Sequence, residues 1–172
     1  MPFKKPSRLL QGNAAKRAID SCAKAMVDEC VSPRHIADVL RCEDRSEMKV
    51  FEAFLSHRLP MVRAVCSQIV SIRGNGDLVV DAIMREAEQF TETHGRAVIS
   101  RMLYSLSEAK YSGVDRLTAL LRVDDSIIVE NTFKMFVAVG RADLLFPLVL
   151  GGEDERTTER VRRYLNEQGW LD

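Results

Sequence analysis

Three arginines near the end of the chain are its densest chemical signal. Arg156, Arg160 and Arg163 fall at i, i+4 and i+7, so a helix would carry all three guanidiniums on one face. Guanidinium forks match the oxygens of phosphate and carboxylate. This face is therefore expected to hold a phosphate or an acidic peptide, unless Glu155, Glu159 and Glu167 pair with it along the same helix. A second basic cluster opens the chain: Lys4, Lys5 and Arg8 beside Phe3, then Lys16 and Arg17. Such an arm orders on an anionic partner. These eight basic residues are the candidate partner-binding set.

Other reactive constellations are missing from the sequence. His35, His57 and His94 form neither H-E-x-x-H nor H-x-x-x-H. Glu88 and Glu92 share a helix face, but His94 falls past the expected helix end, so no metal site is expected. Gly74-Asn75-Gly76 lacks the G-K-[ST] of a phosphate loop. No serine stands in a G-x-S-x-G elbow. Asp124-Asp125 and Asp154-Glu155 stand where helices should start, which makes them caps rather than acid–base pairs. No catalytic residue, metal or cofactor is expected, and the chain reads as a non-enzyme.

The composition narrows the class further. A chain of 172 residues fits one domain, and 46% hydrophobic residues allow a packed core without staples. The formal charge is zero, from 25 basic and 25 acidic residues, but it is unevenly spread. Residues 1–24 hold Lys4, Lys5, Arg8, Lys16, Arg17 and Lys24 against Asp20 alone, and the rest of the chain carries the balancing negative charge. A basic arm on an acidic body points to an anionic partner, which could be a nucleic acid, an acidic protein or the body itself. Cys22, Cys30, Cys42 and Cys66 include no C-x-x-C pair and read as reduced thiols of an intracellular, cytoplasmic protein. No apolar run reaches the roughly 20 residues a bilayer crossing needs, so no membrane partner is expected. The acid-poor start resembles a transit peptide, yet Pro2 and Pro6 interrupt the amphipathic helix it would need.

Helical spacing of apolar residues then supplies the elements. The stretch Pro60–Phe90 predicts two helices back to back. Val62, Val65, Cys66, Ile69 and Ile72 form one stripe, and Val79, Ile83, Ala87 and Phe90 form the next. Gly74-Asn75-Gly76 separates them, with Asp77 as the expected cap of the second. Upstream, Asn13, Ser32 and Ser46 are expected caps of three earlier helices. Downstream, Val98, Met102, Leu103, Leu106 and Ala109 predict a helix to about Lys110, and Val114, Leu117, Leu120 and Leu121 a short one. Asp125 or Ser126 should cap a helix with Ile128, Val129, Thr132, Phe133, Phe136 and Val137 inward, closed by Gly140. Asp143 is the expected cap of a helix containing Leu144, Leu145, Leu148 and Val149. The last helix begins near Glu153 and turns Val161, Tyr164 and Leu165 inward. No alternating strand pattern of useful length occurs, and Ser126–Glu130, though β-branched, continues at helical spacing. Residues 1–12 are expected to form a flexible basic arm and 13–172 a single helical domain. Between Ser46 and Gly113 two pairings are open, and the Pro60–Phe90 hairpin is the favoured unit.

Two stretches echo one another. Met61-Val62-Arg63 and Ile128-Val129-Glu130 each lead into a helix, a glycine turn and then Asp-Leu, at Asp77-Leu78 and Asp143-Leu144. Leu40–Asp44 (LRCED) and Leu121–Asp125 (LRVDD) form a second echo. On these residues, over about 45–165, the chain resembles the HEAT-repeat family of helical hairpins. Leu59-Pro60 stands for the usual Asp-Pro turn, and only the first unit keeps Val-Arg. The resemblance implies an all-α fold: a short right-handed solenoid of stacked antiparallel hairpins, HEAT/ARM-like, with about nine or ten helices. It also implies a protein–protein interaction module, an adaptor or a structural subunit of a larger assembly. The basic residues carry the alternative, a nucleic-acid-associated protein touching phosphates through the arm and the Arg156–Arg163 cluster, whose binding would weaken steeply with salt.

Overall fold

A computed structural model describes residues 51–171 except 53, 59, 73, 74, 91–94, 152 and 153, and leaves the Met61 side chain aside. The basic arm, the helices expected before residue 46 and the caps at Asn13, Ser32 and Ser46 lie outside the described residues. The described chain is all-helical and contains no strand. Helix α1 spans Pro60–Ile72, α2 Gly76–Glu88 and α3 Gly95–Ala109. A 3-10 helix, η1, covers Asp115–Arg122 and leads into α4 at Ser126–Ala138. A second 3-10 helix, η2, covers Ala142–Leu145, followed by α5 at Pro147–Leu150 and α6 at Glu155–Glu167. No helix among these is long and apolar enough to cross a membrane.

The stripes form the core largely as their spacing demands. Val62, Cys66, Ile69, Val79, Ile83, Met102, Leu103, Leu106, Leu117, Leu120, Leu121, Ile128, Phe136, Val161 and Leu165 are all buried in one continuous cluster. Two expected core residues face outward instead: Ile72 is 52% exposed and Val137 40%. Each sits in the last turn of its helix, where the next chain segment departs.

Helix α3 is central, packing against α1, α2 and α4. The expected Pro60–Phe90 hairpin is therefore not self-contained, since α1 packs more extensively against α3 than against α2. The reason is visible on the polar side of α1. Ser67, Gln68 and Ser71 are buried there along with the apolar stripe. Ser67 Oγ donates to the Ala64 carbonyl at 2.6 Å and lies 3.4 Å from Ser105 Oγ of α3, a close approach that small side chains permit. Gln68 Nε2 donates to Glu108 at 2.9 Å.

Cross-contacts fix the direction of the neighbours. Arg96 meets Asp125 at the starts of α3 and α4, and Asn131 Nδ2 donates to Ser100 Oγ at 2.9 Å further along. Just past the end of α3, Lys110 Nζ donates to the Ala138 carbonyl at 3.0 Å. Helices α3 and α4 therefore run side by side in one direction. The same holds for α4 and α6, where Arg156 pairs with Asp124 before the ring of Tyr164 meets that of Phe133.

These three helices also end alike. After α3 the residue in the left-handed conformation is Lys110, after α4 Gly140 and after α6 Gly169. The following amide then reaches five residues back: Tyr111 to Leu106 at 3.1 Å, Arg141 to Phe136 at 2.8 Å and Trp170 to Leu165 at 2.9 Å. This is a Schellman closure, which satisfies carbonyls that the helix leaves unpaired. Asn75 makes the same bond to Val70 at 3.1 Å after α1. Three of the four residues that donate this amide then reach back to an earlier acid through their side chains. Asn75 bonds Glu52, the Tyr111 hydroxyl bonds Asp77, and Arg141 bonds both oxygens of Asp115 at 3.0 and 3.1 Å.

That pattern overturns two expected caps. Asn75, not Asp77, precedes α2, and no side chain caps that helix. Asp77 instead accepts the Tyr111 hydroxyl, which pushes the phenol up to about 12, with burial adding to the effect. Asp143 likewise caps nothing; it accepts from Arg141 Nε at 3.0 Å, and Arg141 itself precedes η2. In both cases a side-chain donor, 34 residues on for Asp77 and two residues back for Asp143, takes the carboxylate in place of the helix amides. Pro147 opens α5, so the helix expected across Leu144–Val149 is split in two. The caps at Asp125 and Asp154 form. Asp125 Oδ1 accepts the amides of Ile127 and Ile128, each at 3.0 Å, and Asp154 takes the Thr157 amide at 2.9 Å.

Candidate functional site

Helix α6 is amphipathic, with Thr157, Val161 and Leu165 buried and a charged face opposite. It docks through two anchors. At its start, Arg160 donates to the carbonyls of Leu121 and Val123 at 3.0 and 2.9 Å, closing the end of η1. Arg156 reaches across to Asp124. Further along, the rings of Phe133 and Tyr164 stack, 4.2 Å apart and 6° from parallel. Such a pair contributes about 0.5–1.5 kcal/mol beyond area burial. The α4 and α6 backbones do not press together as α3 and α4 do, because large side chains span the gap. An open cleft of about 620 Å³ results.

Val129 and Phe133, both buried, form its floor, and the half-buried Tyr164 is the apolar side chain that faces outward. Its charged margin is Glu130 and Lys134 on α4 and Arg160, Arg163 and Glu167 on α6. Lys134 pairs with Glu130 one turn earlier at 2.6 Å. Burial raises the Tyr164 phenol above its ordinary value. The lined segments cover about eight residues on each helix, or roughly 12 Å at 1.5 Å per residue. That is room for about two turns of a partner helix.

Of the candidate basic residues, the structure brings Arg160 and Arg163 to this cleft and leaves Arg156 beside Asp124. Lys4, Lys5, Arg8, Lys16 and Arg17 lie outside the described residues. The three arginines do not act as one phosphate clamp. Arg160 is only 15% exposed and is committed to two carbonyls, with Asp124 3.9 Å away. The expected pairing along α6 is not what engages them either; the intrahelical pair there is Arg162 with Glu159 at 3.3 Å. Among the described residues Arg163 alone of the three has an uncommitted guanidinium.

Comparison with protein-family models, curated proteins and solved structures finds no match to this chain.

The local geometry carries the remaining chemistry. Among the described residues no three His, Cys, Asp or Glu side chains converge to hold a metal ion. Glu88 is exposed at the end of α2, and Glu92 and His94 lie outside the described residues. Cys66 is fully buried in α1, and Cys22, Cys30 and Cys42 lie outside. Among the described residues Asp125 is the buried carboxylate. Burial alone would raise it, but Arg96 at 2.6 Å and the amides of Ile128 and Ile127 hold it below the usual carboxylate range. It stands beside the cleft's first residue, Ser126, and fixes the start of α4. Sequence reasoning placed Phe133 and Tyr164 in the core stripes and missed their part in the cleft. Their signal was the amphipathic tyrosine at the edge of a stripe, which often marks a surface that is only partly closed.

Proposed function

We propose that this chain is a non-catalytic protein–protein interaction module, an adaptor or structural subunit of a larger assembly, built as a short right-handed solenoid of helical hairpins. The cleft between α4 and α6 carries the reading: a concavity two helical turns long in which the half-buried Tyr164 lies over a buried Val129–Phe133 floor, rimmed by charges of both signs. That combination of apolar centre and polar rim is how protein interfaces are organised, and aromatic and arginine side chains supply their strongest contacts.

Three features support the repeat architecture. The helices α1, α3, α4 and α6 begin at Pro60, Gly95, Ser126 and Glu155, about 30 to 35 residues apart. Where their directions can be read they run alike, and their ends share one closure. Side chains at those closures reach back to the preceding segment, as nearest-neighbour stacking requires. The echo between Met61–Arg63 and Ile128–Glu130 then spans two units, with α3 and η1 as the unit between.

Arg156 and Arg160 are engaged within the fold, which favours a protein partner over a phosphate backbone. The test reverses the two uncommitted or exposed cations of the cleft, Arg163→Glu and Lys134→Glu together. Proteins retained by the full-length chain during affinity purification should be lost by the double variant, with helicity unchanged by circular dichroism. An unchanged set of retained proteins would refute the cleft as the contact surface. Salt-sensitive capture of RNA or DNA in place of protein would refute the protein reading.

A further inference from the structure

A second concavity, of about 340 Å³, lies at the opposite part of the described chain, between the turn 55–58 and α2. Arg63 organises it. Its Nε and Nη2 clasp both oxygens of Glu86, and its Nη1 donates to the carbonyls of His57 at 2.7 Å and Arg58 at 3.2 Å. One guanidinium thus fastens the turn before α1 to the side of α2, and it neutralises the only carboxylate that lines the site among the described residues. Both partners of this ion pair are largely buried, with side-chain exposures of 19% and 12%.

What remains available is a set of donors. Arg58 and Arg85 line the concavity, are exposed, and make no side-chain bond to other described residues. The Gln89 amide and the Ser56 hydroxyl line it too. The lining carries three guanidiniums against one carboxylate, and that carboxylate is already spent. Helix α1 starts beside the turn at Pro60 with no acidic residue in its first turn, so nothing on it opposes an anion.

We propose that this corner binds a phosphate monoester. Two guanidinium forks can each present paired N–H groups to a tetrahedral dianion, whose three terminal oxygens serve both forks where a carboxylate has a single pair of oxygens and half the charge. The Arg63–Glu86 pair acts as the rigid base that sets Arg58 and Arg85 around it. The volume admits a phosphate with a small body attached, either a free phosphorylated metabolite or a phosphorylated side chain of a partner. This site is independent of the α4–α6 cleft.

The test is titration of the full-length protein at low salt with inorganic phosphate, O-phosphoserine and a phosphoserine peptide, followed by calorimetry and by amide shifts of the 55–58 turn and Gln89. Phosphoserine should bind and unphosphorylated serine should not. Tighter binding of the peptide than of phosphoserine assigns a phosphorylated partner, and equal binding assigns a small molecule. Arg58→Gln and Arg85→Gln should each weaken binding about tenfold, the loss expected for one charge-assisted hydrogen bond. Arg163→Gln, in the other cleft, should leave it unchanged. Neither Arg58 nor Arg85 supports the fold, and thermal unfolding of each variant checks this, with Arg85→Lys as a milder substitute. The proposal is overturned by no binding of phosphoserine at 10-millimolar concentrations, roughly the weakest affinity such contacts would give. It is equally overturned if both glutamine variants bind as wild type, or if a phosphodiester dinucleotide binds as well as the monoester.

Discussion

The corner at α1–α2 and the seam at α4–α6 solve one problem in two ways. In each, a largely buried arginine donates to two backbone carbonyls of an earlier turn: Arg63 to His57 and Arg58, Arg160 to Leu121 and Val123. In the corner a carboxylate, Glu86, completes the clasp in both directions. In the seam the nearest carboxylate oxygen, on Asp124, is 3.9 Å from Arg160 and is already shared with Arg156. The corner therefore closes on itself and leaves its neighbouring arginines open, whereas the seam draws on its neighbours and leaves an aromatic gap. The type of residue does not decide whether an arginine binds a ligand or holds the fold; the acceptors around it do.

Substitutions separate the two arrangements, in descending order of expected effect. Arg63→Ala strips Glu86 and two carbonyls of their partner, and should lower unfolding free energy by about 3 kcal/mol in urea titration, near the low end for breaking a buried pair. A loss below about 1 kcal/mol would mean that the clasp is ornamental. Arg160→Ala leaves two carbonyls to find water and should cost about 1–2 kcal/mol. If it costs as much as Arg63→Ala, the distinction between corner and seam fails.

The third comparison is acidity. The folded-state pKa of Asp125 is held below its unfolded value, so its contribution is present above the ordinary carboxylate range and is lost as pH falls through the depressed value. Urea midpoints should therefore drop below about pH 4, by an amount comparable to a helix cap, about 1 kcal/mol. Asp125→Asn should flatten that drop while lowering stability at pH 7. Smallest of all, Arg58→Ala and Arg85→Ala should each shift stability by less than about 0.5 kcal/mol, as surface changes do. A larger loss would mean that these side chains are structural after all.

Much of the fold could be read from spacing. Val114, Leu117, Leu120 and Leu121 were sufficient to place a short helix inward, and the Asp125-Ser126 pair and Gly140 marked the start and end of α4, with Asp125 the cap that forms. Local chemistry decides such positions, so a local pattern reveals them. The Arg156–Arg163 face was also legible as a face. Its use was not, because the acceptors of Arg160 are backbone carbonyls about 37 to 39 residues away, and a carbonyl has no letter in a sequence. Ser67, Gln68 and Ser71 lie outside the apolar stripe and carry no local sign of burial; Ser105 and Glu108, which meet that side, come from another helix. Arg58 and Arg85 line one concavity only because the chain doubles back between them, and no spacing rule connects them.

Tyr111 adds a consequence for descent. Its ring lies across Gly76 and its hydroxyl end against Gly113, so that a methyl group at either glycine would occupy the space of the tyrosine. The three positions therefore form one inherited unit. In any lineage where the aromatic ring is replaced by something small, both glycines become free to vary; where the ring persists, neither can, and their covariation would record this contact without any structure being solved.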